Sequence, residues 1–371
     1  MLRHRQRIVV ADPRRMGKTF WARVFSQELD VSRRRAVVFI DYQGVESVEE
    51  FLTRTVRGLA AKANLPAKFM ARLGAWFDNA GMEIGLSPLK LKAAVHSPSK
   101  THAEILEEVL TRLDADVATG KHTPVLIVMD ELSDAVLAIA GKAPTDALNL
   151  LQRLRHLRNT TGHIDWIVCG SVGFHHVLNA AGATEAVLND LQVLKFGPLT
   201  PPEATELAQC LALGIGRQIS QEAVRAVIEA SGGIPSLIQK LFDMMRFTSD
   251  GRPAAGPIEP AEVLRRLDEF IDDRDLSKDV THYVTRIEVY YGALAKLAFK
   301  ILDAAVADNS VTFADLERAM RTWAGDAFDR DEFVAALNLL KDDHYLSQDG
   351  PAITWKYPLI RRIYQHRRNL F

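Results

Sequence analysis

The sequence predicts an α/β fold: a core on a parallel five-stranded sheet, then a helical region, then a smaller domain of helices and a hairpin. Three observations predict it. Short apolar runs at 8–11, 36–40, 125–129, 166–169 and 191–196 alternate with longer helical patterns. Strands of that kind, apolar on both faces and separated by helices, belong to parallel sheets covered on both sides. After Phe196 the pattern is helical only, until two alternating segments near the end of the chain.

The first run leads into Asp12-Pro13-Arg14-Arg15-Met16-Gly17-Lys18-Thr19 and a helical segment at 20–29. This reads as a phosphate-binding loop, G-x-x-x-x-G-K-[ST], in which backbone N–H groups wrap the phosphates, the Lys bridges them and the hydroxyl reaches Mg²⁺. The start of the helix adds the positive end of its dipole. Pro13, Arg14, Arg15, Met16, Gly17, Lys18, Thr19 and Phe20 are the expected nucleotide contacts. Asp12 departs from the pattern by replacing the first Gly. The residue before a proline is driven to extended conformation, so position 12 does not need a positive φ. Its charge matters more: a carboxylate about 6 Å from a phosphate charge costs roughly 3 kcal/mol at an effective dielectric of about 20.

Beyond the second run, amphipathic helices are expected at 47–62 and 66–77. A strand-like alternation at 82–95 reads as an insertion, and a helix at 101–119 returns the chain to the sheet. In the all-helical region Pro201-Pro202-Glu203 opens one helix, Ser220 caps another and Pro235 begins a third. The Gly, Pro and Ala content of 248–260 reads as a linker. Helices at 292–307, 312–323 and 329–341, then Tyr345-Leu346-Ser347, a Gln348-Asp349-Gly350 turn and Ile353-Thr354-Trp355, suggest a winged helix-turn-helix. The expected domains are a P-loop core at 1–197, a helical lid at 198–255, and linker helices with a winged helix at 256–371.

The third run ends in Asp130-Glu131. In a P-loop ATPase such a strand lies beside the loop, so that Asp130 serves Mg²⁺ and Glu131 polarises the attacking water. The fourth ends in Cys169-Gly170-Ser171-Val172-Gly173, which makes Ser171 a candidate sensor of the γ-phosphate. A serine-hydrolase elbow is disfavoured because position 169 is Cys rather than Gly. His175 and His176 lack spaced ligand partners and read as surface or packing residues. Arg153, Arg155 and Arg158 are candidates for an arginine finger or for a solvated helix face.

Composition narrows the function classes. Forty-six Lys and Arg against 47 Asp and Glu give a net charge of -1, so no whole-chain electrostatic footprint points to nucleic acid. Two cysteines, Cys169 and Cys210, support neither a disulfide framework nor a four-Cys zinc site. No run approaches the roughly 20 apolar residues of a membrane span, and the basic start at 1–7 precedes too short an apolar run for a signal segment. A cytoplasmic location is expected.

The order of Pro13-Arg14-Arg15, Gly17-Lys18-Thr19, Ile40-Asp41, Asp130-Glu131, Gly170-Ser171, Gly197-Pro198-Leu199-Thr200 with Glu203-Ala204, and Gly232-Gly233-Ile234-Pro235 resembles the archaeal-type ATPase family. That family belongs to the STAND branch of AAA-like P-loop ATPases. The resemblance reaches Leu337, Leu340, Asp343, Tyr345, Leu346, Trp355 and Pro358-Leu359-Ile360-Arg361-Arg362, which look like the family's winged-helix end. It implies ATP and Mg²⁺ as cofactors: Lys18 and Thr19 on phosphate and Mg²⁺, Asp130 on the metal, Glu131 on water, Ser171 as sensor, and Pro235 against the adenine. The expectation is an ATP-dependent switch with slow hydrolysis to ADP, a protein partner and possible homo-oligomers. The alternatives are an ATPase assembled on double-stranded DNA, suggested by Arg361, Arg362, His366, Arg367 and Arg368, and a scaffold whose nucleotide site is impaired by Asp12.

Overall fold

The computed structural model describes residues 6–10, 16–32, 35–62, 102–248, 250–273 and 278–370. Asp12, Pro13, Arg14 and Arg15, the expected helix at 66–77 and the alternating stretch at 82–95 lie outside them. The described chain forms two units that meet in sequence after Phe196, with Met16 and Gly17 grouped with the second.

The first unit contains a parallel five-stranded sheet: β1 (Arg7–Val10), β2 (Ala36–Asp41), β3 (Val125–Asp130), β4 (Ile164–Cys169) and the short β5 (Gln192–Val193), in the order β2-β3-β4-β1-β5. Alternation along the strands assigns each side chain to one of two apolar layers. Val125, Ile127 and Met129 face the layer built with α2 (Val48–Lys62), α3 (His102–Ala118), α4 (Leu132–Lys142), α5 (Pro144–Thr160) and α6 (Phe174–Ala181). Leu126, Val128, Ile167 and Cys169 face the layer of Ala22, Trp21, Phe25 and Leu29 on α1 (Lys18–Val31). Every residue of β3 and β4 is buried, as continuous apolar runs require of central strands.

β4 lies between β1 and β3 in the sheet. Three β4 residues pair with β1 and β3 alike, including Ile167 with Ile8 and with Val128. The Cys169-Gly170-Ser171 strand end therefore stands between the Lys18 helix and the Asp130-Glu131 strand end.

The second unit opens with α7 (Pro201–Gly214), α8 (Gln221–Ser231) and α9 (Pro235–Met245). Thr200 and Glu203 close a capping box on α7, Ser220 Oγ accepts from Ala223 N–H on α8, and Pro235 is the first residue of α9. The stretch read as a linker is anchored. Arg217, 6% exposed, donates to the carbonyls of Met245, Gly256 and Pro257 and to both carboxylate oxygens of Glu262. Its five donors meet five acceptors, so the guanidinium is fully satisfied although it is buried.

After α10 (Pro260–Asp272) and α11 (Lys278–Tyr290) come α12 (Ala295–Ala307), β6 (Val311–Thr312), α13 (Phe313–Ala324), α14 (Arg330–Asp342), β7 (Leu346–Asp349), β8 (Ala352–Trp355) and α15 (Pro358–Arg368). The three strands form an antiparallel sheet in the order β6-β8-β7. β7 runs through Gln348 and Asp349, so the hairpin turn is Gly350-Pro351 rather than Gln348-Asp349-Gly350, with Gly350 supplying φ 55°.

Candidate nucleotide and water-activation site

The carboxyl ends of β2, β3 and β4 carry Asp41, Asp130 and Cys169. Asp41 pairs in register with Asp130, and strand alternation puts both on the α1 side of the sheet, with Cys169. α1 begins at Lys18, 6% exposed, after Gly17 at φ 84°, a left-handed conformation that favours glycine at this bend. Thr19 hydrogen-bonds the Asp130 side chain. Asp130 is 2% exposed and its Oδ2 is buried without a partner. Burial pushes its carboxyl up, Thr19 opposes this, and the Asp41 charge adds to it. Arg23 on α1 lies 3.8 Å from Asp41 and over the Phe39 ring. Phe20 is 74% exposed.

Glu131 follows β3 in the left-handed region, φ 55° and ψ 31°, as the residue preceding α4. A non-glycine residue held there carries backbone strain, and such strain concentrates at functional sites. Its Oε2 is buried without a partner. Burial, followed by the hydrogen bond and charge of Asp134, pushes the Glu131 carboxyl up to about 7, against the bond from Ser171. Ser171, 2% exposed, donates from Oγ to Asp134 Oδ2 at 2.7 Å.

Asp134 is the residue that sequence reading missed. It sits in the first turn of α4, three positions after Glu131, where helical spacing returns its side chain toward the strand end. The available signal was the run Asp130-Glu131-Leu132-Ser133-Asp134, whose third acid is on the helix rather than the strand. Ser133 joins the two ends: its Oγ accepts from Val172 N–H at 3.2 Å. A Cβ on Gly170 would fall 2.2 Å from that same oxygen, so only glycine fits this approach.

Lys18, Thr19, Asp130, Glu131 and Ser171 thus share the carboxyl edge of one sheet. That edge, where the strand order departs from chain order, is where open α/β sheets bind ligands. Burial raises the Cys169 thiol to about 12, with Asp130 adding to the rise, so it is no nucleophile at neutral pH. Arg158, one of the finger candidates, is 2% exposed and grips both oxygens of Asp190 and the Val187 carbonyl. Arg153 and Arg155 stay half-buried on α5. Pro235, with Gly232 and Gly233, belongs to the second unit; Gly233, at φ 74°, has its Cβ position 2.6 Å from the Leu199 carbonyl oxygen.

No family model matches the chain, and no curated protein does. Solved structures match it along nearly its whole length. The Walker-type ATPase PabY2304 of Pyrococcus abyssi superposes with a TM-score of 0.60 at 14% identity, covering 96% of this chain and 90% of that one. The ORC2 protein of Aeropyrum pernix, in its ADPNP–ADP complexes, superposes with a TM-score of 0.52 at 11% identity, covering 99% and 87%. The fold is that of a P-loop ATPase. Among the described residues no helix is long and apolar enough to cross a membrane.

Proposed function

We infer that the chain binds ATP with Mg²⁺, hydrolyses it slowly, and uses its nucleotide state to control a protein partner, as a molecular switch of the STAND kind. The observation that carries this reading is the buried, unpartnered Oδ2 of Asp130 next to Thr19, with Glu131 and Ser171 at the adjoining strand ends. An orphaned carboxylate oxygen in a dry site is costly unless a cation completes it.

Thr19 and Asp130 are the residues that would hold Mg²⁺, which when bound neutralises charge on the phosphate oxygens. Lys18, in the first turn of α1, offers its ammonium and its backbone N–H to the phosphates. In hydrolysis a water oxygen bonds to the γ-phosphorus, the β–γ bridging oxygen leaves with ADP, and the water's proton goes to Glu131. The ADPNP–ADP ligands of the Aeropyrum ORC2 structure support a nucleotide of this class.

We read the second unit as a helical lid, α7–α9, followed by a winged helix formed by α12–α14 and β6–β8. One observation favours a protein partner over duplex DNA. Three arginines of α15 are engaged within their own unit: Arg361 with Asn309 and the Val306 carbonyl, Arg362 with Asp268 and Arg368 with Asp303, while His366 lies 3.2 Å from Asp272. α14, in the recognition-helix position, begins with the exposed acids Asp331 and Glu332. Phosphate binding needs available cations.

Mg-ATP binding and multiple-turnover hydrolysis, measured with Lys18→Ala as control and with and without duplex DNA, test the reading. Lys18-dependent binding and turnover are expected. Absence of Mg-ATP binding would leave the impaired scaffold as the better account, and tight salt-sensitive duplex binding the DNA-associated one.

A further inference from the structure

At the carboxyl end of β2 a second carboxylate stands next to Asp130. Asp41 and Asp130 pair in register on adjacent parallel strands, a spacing of about 4.8 Å, so their side chains leave the same face of the sheet side by side. Backbone bonds hold the two strand ends together: Tyr42 N–H donates to the Asp130 carbonyl at 2.9 Å, and Arg54 Nη1 donates to the Asp41 carbonyl at 3.0 Å. Tyr42 is itself anchored, its ring stacked on Phe51 and its hydroxyl 2.6 Å from Thr55 Oγ1. Asp41 Oδ1 accepts from Gln43 N–H at 2.9 Å, which fixes the direction of its carboxylate.

Arg23 answers this carboxylate from α1. It follows Thr19 by four positions, so the two share a helix face. Its guanidinium lies over the Phe39 ring, 5.0 Å from the centroid, and its Nη2 is 3.8 Å from Asp41 Oδ2. Arg54, on α2, gives its guanidinium to the Asp41 and Gln43 carbonyls and to Glu50 instead. The side chains of Arg23 and Asp41 are 57% and 40% exposed, and a pair so open to water contributes little to stability. What the pair does alter is the charge next to Asp130, whose Oδ2 is buried without a partner.

We propose that Asp41 and Arg23 set how strongly the Thr19–Asp130 site takes up Mg²⁺: Asp41 strengthens uptake through its charge, without being a ligand, and Arg23 limits that gain. This rests on the Mg-ATP reading of the site and deepens it. A divalent cation interacts twice as strongly as a monovalent one with each nearby charge, so one carboxylate and one guanidinium beside Asp130 act on it in opposite directions.

The test is the Kd of the full chain for the non-hydrolysable ATP analogue ADPNP, measured by calorimetry in excess Mg²⁺ and again in EDTA. The ratio of the two constants is the gain due to the metal, and direct effects of either side chain on the phosphates cancel from it. Asp41→Asn, whose Oδ1 still accepts from Gln43 N–H, is expected to reduce the gain about fivefold, the order that one exposed charge near a divalent ion supplies. Arg23→Gln is expected to increase it by a similar factor, Arg23→Lys to leave it within about twofold of wild type, and the double variant to return toward wild type. Matching urea midpoints for wild type and both single variants are expected of so exposed a pair. A loss of stability in both variants with the gain unchanged would make the pair structural and overturn the proposal. A loss of gain of about 100-fold in Asp41→Asn would make Asp41 a ligand and overturn it too. Unchanged gains in both variants, in a chain whose wild-type gain is abolished by Asp130→Ala, overturn the proposal alone. A wild-type chain without any Mg²⁺-dependent gain removes the Mg-ATP reading and the proposal together.

Discussion

Arg158 and Asp190 form a buried two-point ion pair, with Nε and Nη2 each 2.8 Å from a different carboxylate oxygen and side chains 2% and 7% exposed. The pair ties α5 to the approach to β5, at the edge of the sheet next to β1. Arg7 adds its own charge to Asp190 from 3.8 Å. The Arg158 side chain was a candidate arginine finger in the sequence; in the fold it is a structural cation. Arg158→Ala is expected to destabilise the chain by about 3 kcal/mol, the usual cost of leaving one buried charge unpaired. Urea unfolding measures this, and a loss below about 1 kcal/mol would contradict it.

The same pair has a pH consequence. Burial alone would raise the Asp190 carboxyl, but the Arg158 hydrogen bonds and charge overcome it and hold the group below the usual carboxylate range. A folded-state value below the unfolded one stabilises the protein at pH above the unfolded value, and that stability is lost as pH falls through the folded value. Acid unfolding of wild type is therefore steeper below about pH 4 than that of Asp190→Asn. Superimposable acid limbs for the two proteins would show that the pair does not act in this way.

Glu131 behaves in the opposite sense. Burial, then Asp134, raises its carboxyl to about 7. Its contribution to stability is fully present below the unfolded value and is lost as pH rises through about 7, while the base form that the proposed hydrolysis requires accumulates. The kcat for ATP should climb between pH 6 and pH 8 as the melting temperature of the nucleotide-free protein declines. Glu131→Gln should flatten both trends. A kcat profile flat across that interval in wild type would remove Glu131 as the base.

Gly170 offers a test of the packing that holds Ser171. A methyl group there meets Ser133 Oγ at 2.2 Å and Ser133 Cβ at 2.7 Å. Gly170→Ala is expected to cost about 2 kcal/mol, in the range of core overpacking. Ser133→Gly in the same chain, which removes both atoms, should recover part of the loss. A Gly170→Ala protein as stable as wild type would mean that α4 and β4 are free to separate.

The engaged cations of α15 predict weak duplex binding. Each phosphate neutralised contributes about 0.9 to the slope of log K against log salt. A slope shallower than about 3 is expected for the full chain, measured by fluorescence anisotropy. A slope of about 6 or steeper would show that Arg361, Arg362 and Arg368 exchange their present acceptors for phosphates.

Much of the architecture was legible in the sequence. β1 to β4 lie where continuous apolar runs mark them, because a doubly covered strand has no solvent face to write into its pattern. The Thr200-Glu203 and Ser220 caps and the Pro235 start were legible for another local reason: a helix end must satisfy its own first N–H groups. The 248–260 stretch misled because Gly and Pro record the absence of regular structure, not the absence of contacts. Arg217 holds it from well outside any sequence window.

The chain by itself determined the Gly17-Lys18-Thr19 bend, the Asp130-Glu131 strand end and the alternation of strands and helices, all features set within a few residues of backbone. Only the tertiary structure decided that β4 stands between β1 and β3, that Asp134 meets Ser171, and that Arg158 belongs to Asp190. The physical reason is one of range. Periodicity and capping are local energies, whereas Ser171 meets Asp134 across 37 positions and Arg158 meets Asp190 across 32. Which charge finds which acceptor over such separations depends on how whole strands and helices pack.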